Sequence, residues 1–343
     1  MQGFLDEKFL PASVLAKITE VRLADPDCPL RAAQARKRRS TLTSGGRLNI
    51  LAADHPARRV TKVGDDPLRM ADRHGYLARI VRVLQSDVVD GVMATMDILE
   101  DLLILHHLIL EAGGPALLDG RLLIGSLNRG GLAGSSWEMD DPITGASPAT
   151  CAAMALDGAK LLLRICDEEP GSLNTMVYCA RTITEMNALS LPTFLEPLPV
   201  IKEDGSYRVV KNAEALAKIV GVASALGDSS RYMWLKLPYC KDYEVVARAT
   251  MLPILLLGGE SVGDATPLLR EIEAGLGAGT NVRGALVGRN VLFPGPQDPL
   301  VVAQAAGSII HHNFTVERAL EEQESWRGHG LNQMATYFEP SPA

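Results

Sequence analysis

Eight short apolar runs, separated mostly by helix-length amphipathic segments, organise the chain from residue 48 onward. The predicted strands are 48–53, 90–94, 122–126, 158–164, 193–196, 232–237, 254–258 and 284–288. This alternation predicts repeated βα units and a parallel sheet. An open doubly wound sheet is the alternative, but no GxGxxG motif follows the first run, and a closed barrel uses all eight units. We therefore expect an α/β protein with the (β/α)8 TIM-barrel fold.

The rest of the sequence flanks this barrel. We predict an N-terminal helical extension over 1–46, the barrel over 47–314, and a C-terminal helix and tail over 315–343. The extension contains the basic run RAAQARKRR (31–39), which in an acidic protein predicts a solvated helix face. Residues 128–148, rich in Gly, Ser and Asp, are too many for an ordinary βα turn and are predicted to form an active-site loop.

Composition limits the partners of the protein. A net charge of −7 and a pI near 5.6 argue against a protein that binds nucleic acid or an anionic membrane, and leave a small molecule as the expected partner. The sequence shows no targeting signal and no long uncharged apolar run, so we expect a cytoplasmic protein. Five cysteines without a CxxC pair indicate reduced thiols. The seven histidines are scattered, so we expect neither a metal nor another cofactor. Barrels of this kind often assemble, and we expect a homo-oligomer.

Polar side chains gather at the ends of the apolar runs, where barrel enzymes carry their chemistry. Lys236 lies within RYMWLKLPY (231–239), which otherwise has the composition of a buried strand. A buried ammonium is costly, so such a lysine finds a partner or loses its proton and becomes a nucleophile. A lysine at a strand end with its head in water is the structural alternative. Lys160 and Glu196 lie in two other runs and Asp54 directly follows the first, and this combination favours a catalytic role for Lys236.

The spacing of these residues suggests how an amine could be activated. If Lys160 and Lys236 both point inward, each disfavours the charge of the other, and burial lowers the pKa further. Alternation places Lys160 and Arg164 on one face of the fourth strand, so we expect Arg164 to share the pocket. Asp54 and Glu196 supply carboxylates for proton transfer. Taken singly, Asp54 could be a turn residue, Glu196 an ion-pair partner, and Lys160 a surface lysine.

Glycines after the seventh and eighth runs indicate a phosphate site. Gly258 and Gly259 follow ILLL, and Gly288 with Arg289 follows ALV. Glycines allow backbone N–H groups to approach an anion, and the loops after strands seven and eight bind phosphate in many barrels. Arg289 adds a charge-assisted contact. Glycines are also common in ordinary loops, which is the alternative. Their occurrence after both the seventh and the eighth run favours phosphate binding.

Five segments resemble the class I, Schiff-base-forming aldolases of the (β/α)8 superfamily. PILLLGGES and GALVGRNVLF are similar to the strand-seven and strand-eight signature of archaeal-type fructose-bisphosphate aldolases, and LAADH is similar to their strand-one LAxDHG motif. GAKLLLR and PTFLEPLP are more similar to tagatose-bisphosphate and sulfofructose-phosphate aldolases, in which a strand-four lysine and a strand-five glutamate assist the Schiff-base lysine. The resemblance covers residues 48–312, and the motifs are specific in combination.

The resemblance implies a role for each matching residue. Lys236 would be the Schiff-base nucleophile, Lys160 and Glu196 its proton-transfer partners, and Asp54 an acid, a base or an orienting carboxylate. The resemblance implies that Gly258, Gly259, Gly288 and Arg289 hold a phosphate. We add four residues to the predicted binding set: Ser261, Arg164, Arg129 and His55.

Two departures from the family pattern bear on the substrate. Pro56 replaces the usual glycine after LAADH, and Arg164 stands where tagatose-bisphosphate aldolases carry an uncharged aromatic residue. Together with Arg129 and the Arg58-Arg59 pair, Arg164 suggests a second anionic group on a phosphorylated sugar. The chain looks most like actinobacterial-type barrels of inositol breakdown, which implies cleavage of 2-deoxy-5-keto-gluconate 6-phosphate. Cleavage of fructose-bisphosphate, tagatose-bisphosphate or sulfofructose-phosphate, a thiolase-like acyl transfer, and a non-catalytic phosphosugar-binding barrel remain alternatives.

Overall fold

A computed structural model describes residues 4–326, 328 and 330–338 of the chain. The strands in this part are β1 (Leu48–Ala53), β2 (Gly91–Ala94), β3 (Leu122–Ser126), β4 (Gly158–Ile165), β5 (Thr193–Glu203), β6 (Ser206–Val209), β7 (Met233–Pro238), β8 (Ile254–Leu257) and β9 (Val282–Val287). All except β6 are parallel and adjoin in the order β4-β3-β2-β1-β9-β8-β7-β5, and β4 also pairs with β5. The sheet is therefore closed, and the predicted (β/α)8 barrel is confirmed.

Of the described helices, three precede the barrel in sequence, and the others follow its strands and pack around it. They are α1 (Asp6–Phe9), α2 (Ser13–Ala24), α3 (Cys28–Ala35), α4 (Arg73–Leu84), α5 (Met96–Glu111), α6 (Pro148–Ala153), α7 (Gly171–Ala188), α8 (Ala213–Ser224), α9 (Tyr243–Arg248), α10 (Thr266–Ala278), α11 (Arg289–Leu292), α12 (Pro299–His312) and α13 (Val316–Trp326). Short 3-10 turns occupy Pro56–Arg58 and Ala335–Tyr337. None of the described helices is long and apolar enough to cross a membrane.

Alternation along the strands divides the apolar residues between two cores. In β1, Leu48, Ile50 and Ala52 face the barrel interior, while Leu51 and Ala53 pack against the surrounding helices. The interior is filled by apolar side chains of several strands, as in other barrels of this kind. Gly284 lies where β9 meets β1, with a φ of 125° that favours glycine, and a Cβ there would overlap the carbonyl oxygen of Leu48. Close strand approach at this seam therefore requires a glycine.

The basic run 31–39 is not a solvated helix face, and that prediction is wrong. Helix α3 ends at Ala35, and the Arg36 side chain is fully buried, with Nη2 2.7 Å from Asp157 Oδ2. Arg38 binds the other oxygen of Asp157, and Arg39 Nη2 lies 2.8 Å from Asp90 Oδ1. We call Arg36, Arg38 and Arg39 the arginine strap. Both carboxylates are buried just before β2 and β4, where their charge requires cationic partners.

Strand β5 continues beyond Glu196, where the predicted strand ended, and forms a hairpin with β6. Residues Asp204 and Gly205 both have positive φ, of 49° and 75°, and connect Glu203 to Ser206 in antiparallel register. Such two-residue turns match the twist of a hairpin and favour the Asp-Gly dipeptide. The hairpin is tied to the loop after β4, because Lys202 Nζ lies 2.6 Å from Glu169 Oε1.

Candidate active site

A polar layer lies directly above the apolar interior of the barrel. Phe194 of β5 and Trp234 of β7 contact each other inside the barrel. Side chains two positions further along each strand point the same way, so Glu196 and Lys236 also face inward. Lys160 is in register with Phe194 and is only 1% exposed. The sequence therefore places both lysines and the glutamate at the end of the barrel where catalytic residues are found.

Glu196 lies between the two lysines. Lys160 Nζ is 2.5 Å from Glu196 Oε2, and Lys236 Nζ is 3.1 Å from Glu196 Oε1. Each oxygen of one carboxylate therefore contacts a different ammonium, and all three side chains are at least nine-tenths buried. A proton can pass from one lysine to the other through this carboxylate.

Asp54 forms a second group that touches the first. Its Oδ2 contacts Arg129, accepts a hydrogen bond from Ser126 Oγ at 2.7 Å, and lies 3.7 Å from Lys160 Nζ. Arg129 Nε also donates to Ser126 Oγ at 3.0 Å. Asp54 is thus linked to Glu196 through Lys160, and the four predicted catalytic residues lie in one continuous cluster.

Burial sets the protonation of this cluster. It lowers the pKa of Lys160 well below its ordinary value, with Arg129 adding to the effect and Glu196 opposing it. Burial also lowers the pKa of Lys236, again opposed by Glu196. For Glu196, burial would raise the pKa, but the two lysines outweigh it and lower the pKa. The result is an ionised carboxylate beside amines that lose protons more readily than lysines in water.

A cavity of about 690 Å³ opens above the cluster. Asp54, His55, Arg129, Lys160, Glu196 and Lys236 contribute to its wall. Burial, with help from Arg289 and Lys236, lowers the pKa of His55 well below its ordinary value, so its imidazole is neutral. Its buried Nδ1 has no hydrogen-bond partner among the described residues. A ligand hydroxyl or carbonyl group could satisfy this nitrogen.

The loops after β8 and β9 meet at one side of this cavity. Asn290 Nδ2 donates to the Gly258 carbonyl at 2.5 Å and ties the two loops together. Gly259 has a φ of 65°, and a Cβ on Gly288 would overlap the carbonyl oxygen of Ala52. Arg289 Nη1 lies 3.4 Å from Glu260 Oε1, while its buried Nε has no partner in the described part of the chain. Spare donors and exposed backbone at one place suit a phosphate.

Two residues of the predicted binding set lie elsewhere. Arg164 does not share the pocket, because its Nη1 binds Glu138 Oε1 at 2.6 Å and its Nη2 donates to the Gly131 carbonyl at 3.1 Å. Its guanidinium fastens the loop after β3 to β4. Ser261 is outside the main cavity, in a neighbouring recess, and its Oγ donates to the Phe293 carbonyl at 2.6 Å.

Several residues of the cavity wall were not predicted from the sequence. Ser126 at the end of β3 forms hydrogen bonds with both Asp54 and Arg129. Its place in LLIGS, two residues after the inward-facing Ile124, predicts that it also faces the interior. Tyr207, Arg208 and Lys211 also line the cavity. They come from the β5-β6 hairpin and the segment after it, and the Asp-Gly pair between two alternating segments was the signal for that hairpin.

Comparison with known proteins places the chain in a family. The Cgl0159-like family model matches residues 46–307. The chain belongs to this family. It resembles the crystal structure of Cgl0159 from Corynebacterium glutamicum with a TM-score of 0.82 and 34% identity, over 89% of this chain and 99% of that one. No curated protein gives a significant match.

The fold is shared with more distant aldolases. An archaeal fructose 1,6-bisphosphate aldolase is 22% identical, with a TM-score of 0.56 over 78% of this chain and 94% of that one. A Schiff-base-forming fructose-1,6-bisphosphate aldolase is 23% identical, with a TM-score of 0.54 over 78% of this chain and 95% of that one. At these identities the comparison establishes a common barrel fold.

Proposed function

We propose that the protein is a class I aldolase that cleaves a phosphorylated ketose through a Schiff base on Lys236. The observation that carries this proposal is the pair of buried lysines sharing the two oxygens of Glu196 at the mouth of the barrel. Lys236 is the better nucleophile of the two by position, since Lys160 is 1% exposed and is held by both Glu196 and Asp54. The Schiff-base aldolase with the same fold supports this assignment by analogy.

Iminium formation uses the lysine pair and Glu196. The neutral amine of Lys236 attacks the substrate carbonyl carbon, and the resulting carbinolamine loses water to give an iminium. Departure of water requires a proton, which Lys160 can supply through Glu196. Low pKa values for both lysines favour this exchange, because each then gives up its proton near neutral pH more easily than a lysine in water.

Carbon–carbon cleavage follows from the iminium. A base removes the proton of the hydroxyl on the β carbon, the bond between the α and β carbons breaks, and its electrons neutralise the iminium as an enamine. The aldehyde product leaves, the enamine is protonated, and water releases the ketone from Lys236. Asp54 and Glu196 are the carboxylates on the cavity wall close enough to the lysines to serve as that base. The loops that carry Gly258, Gly259, Gly288 and Arg289 would hold the phosphate.

Among possible substrates, we propose 2-deoxy-5-keto-gluconate 6-phosphate, which would yield dihydroxyacetone phosphate and malonate semialdehyde. Its carboxylate must meet a cation other than Arg164, and the cavity wall offers Arg58 and Arg208. Fructose-bisphosphate, tagatose-bisphosphate and sulfofructose-phosphate carry a second anion as well, and they belong in the same substrate screen.

Borohydride trapping with dihydroxyacetone phosphate tests the mechanism. Reduction should leave a stable adduct on wild-type protein, and peptide mapping should place it on Lys236. Lys236→Met should abolish both the adduct and turnover while the fold is retained, because methionine fills similar volume without the amine. Lys160→Met is the matched control, since it should slow turnover and leave the adduct on Lys236. An adduct on Lys160, or full turnover by Lys236→Met, would reject the assignment; binding without any adduct would favour a non-catalytic barrel.

A further inference from the structure

Lys211 is held at a fixed place between the hairpin and helix α8. The Val210 N–H donates to the Pro199 carbonyl at 2.9 Å and extends the pairing of β5 with β6 by one residue. On the other side, the Asn212 side chain accepts from the Ala215 N–H at 2.9 Å and caps the start of α8. The backbone on both sides of Lys211 is therefore constrained, and this lysine reaches the cavity from a defined origin.

The ammonium group of Lys211 lies over the loop that follows β8. Its Nζ is 3.6 Å from the position that a Cβ would occupy on Gly259. Because Gly259 has no side chain, no side chain of this residue separates the ammonium from its backbone. Lys211 makes no hydrogen bond or ion pair with any residue that the structure describes. Glu271 is its acidic neighbour: burial raises the pKa of Glu271, and Lys211 opposes that rise.

The two other cations of the hairpin have acidic partners. Lys202 is bound to Glu169 at 2.6 Å, and Arg208 Nη1 lies 3.3 Å from Glu203 Oε2 in an exposed pair that an anion can displace. In the loop after β9, Arg289 has a buried Nε without a partner in the described residues and a single weak contact with Glu260. The carboxylate of Glu260 is 84% exposed, so an incoming anion can displace it at little cost. Lys211 and Arg289 therefore offer spare donors to the same cavity.

We propose that Lys211 is a phosphate ligand, which closes from the hairpin side the anion site formed by the loops after β8 and β9. A phosphate monoester dianion would then be held by the ammonium of Lys211, the guanidinium of Arg289 and the glycine backbone, with Glu260 displaced from Arg289. The β5-β6 hairpin thereby serves to deliver a ligand to the phosphate end of the substrate. The identity of the phosphorylated ligand rests on the proposed aldolase function, whereas anion binding by Lys211 does not.

Binding measurements in a Lys236→Met background test this proposal without catalysis. Titration calorimetry with dihydroxyacetone phosphate, dihydroxyacetone and inorganic phosphate compares Lys211→Met with Lys218→Met. Lys218 is the matched control, because it is an exposed lysine on α8 engaged with Glu214. We expect Lys211→Met to weaken the two phosphate ligands about 10-fold, as for the loss of one charge-assisted hydrogen bond, with no effect on dihydroxyacetone. Glu260→Gln should strengthen both phosphate ligands.

The outcomes separate this proposal from the aldolase function. Equal phosphate affinity in Lys211→Met and Lys218→Met would overturn the role of Lys211, even if the Lys236 adduct forms. Loss of phosphate affinity in Lys211→Met together with no borohydride adduct on wild-type protein would support the phosphate site and reject the Schiff base. Failure of both phosphate ligands to bind any variant would overturn the phosphate site itself.

Discussion

Replacing Glu196 with glutamine should destabilise the protein in a pH-dependent way. At the 3.1 Å that separates Lys236 Nζ from Glu196 Oε1, an effective dielectric constant of about 20 gives an attraction of about 5 kcal/mol. Lys160 loses a second contact with the same carboxylate. Removing one partner of a buried ion pair commonly costs about 3–5 kcal/mol. We therefore expect the free energy of unfolding to fall by about 3–5 kcal/mol near pH 7.

The sign of the pH dependence follows from the lysines. Glu196 raises the pKa of both lysines against the effect of burial, so its removal lowers their pKa further. The folded variant then binds fewer protons than the folded wild type, while their unfolded states keep both lysines protonated up to about pH 10. Stability rises with pH wherever the unfolded state binds more protons, and it rises more steeply in the variant. The stability difference should therefore shrink between about pH 7 and about pH 9.

Urea unfolding at these two pH values measures the difference, followed by tryptophan fluorescence, to which Trp234 in the barrel interior contributes. Glu138→Gln is the control, because it removes a largely buried carboxylate from Arg164, and a guanidinium, unlike a lysine amine, keeps its proton at both pH values. Glu138→Gln should lower the free energy of unfolding by the same amount at both pH values. If Glu196→Gln also lowers the free energy of unfolding by the same amount at both pH values, the view that the two lysines lose protons when the carboxylate is absent is refuted.

Two further substitutions test other parts of the structure. Gly284→Ala should lower the free energy of unfolding by about 3 kcal/mol, because the new Cβ overlaps the Leu48 carbonyl at the β1-β9 seam, and wild-type stability in urea would contradict this contact. Arg164→Met should make the loop after β3 more sensitive to limited proteolysis while weakening acid-bearing and neutral substrates equally. A selective loss of acid-bearing substrates in enzyme kinetics would return Arg164 to the binding site.

The alternation of side chains between the two faces of a strand explains why so much of the polar cluster was predictable. An inward-facing position is fixed by a neighbour two residues away, so Lys160, Glu196 and Lys236 could be assigned to the inward face of the barrel from the sequence. Alternation predicts which face of the strand a side chain lies on, but it does not predict which residue the end of a long side chain contacts. Arg164 shares the face of Lys160 but lies four residues further along β4, where it clears the barrel and meets Glu138 of the loop.

Contacts between distant parts of the sequence were the hardest to predict. The prediction of a solvated helix for 31–39 failed because Asp90 and Asp157 lie far away in sequence, and only the fold brings them to the arginine strap. The hairpin was missed for a different reason. Its Asp204-Gly205 turn is visible in the sequence, but the predicted strand stopped at Glu196, so the second half of β5 was never paired with a partner.

The arginine strap also determines where the chain can be cut. The family match starts at residue 46, downstream of all three arginines. A protein trimmed to the matched segment, which ends at residue 307, would retain Asp157 without either arginine and Asp90 without Arg39 and without its other ion partner in the described part of the chain, His311. Those carboxylates would have to take up protons or water to remain in the fold. A shortened chain that keeps these two carboxylates paired must therefore begin upstream of Arg36 and extend past His311.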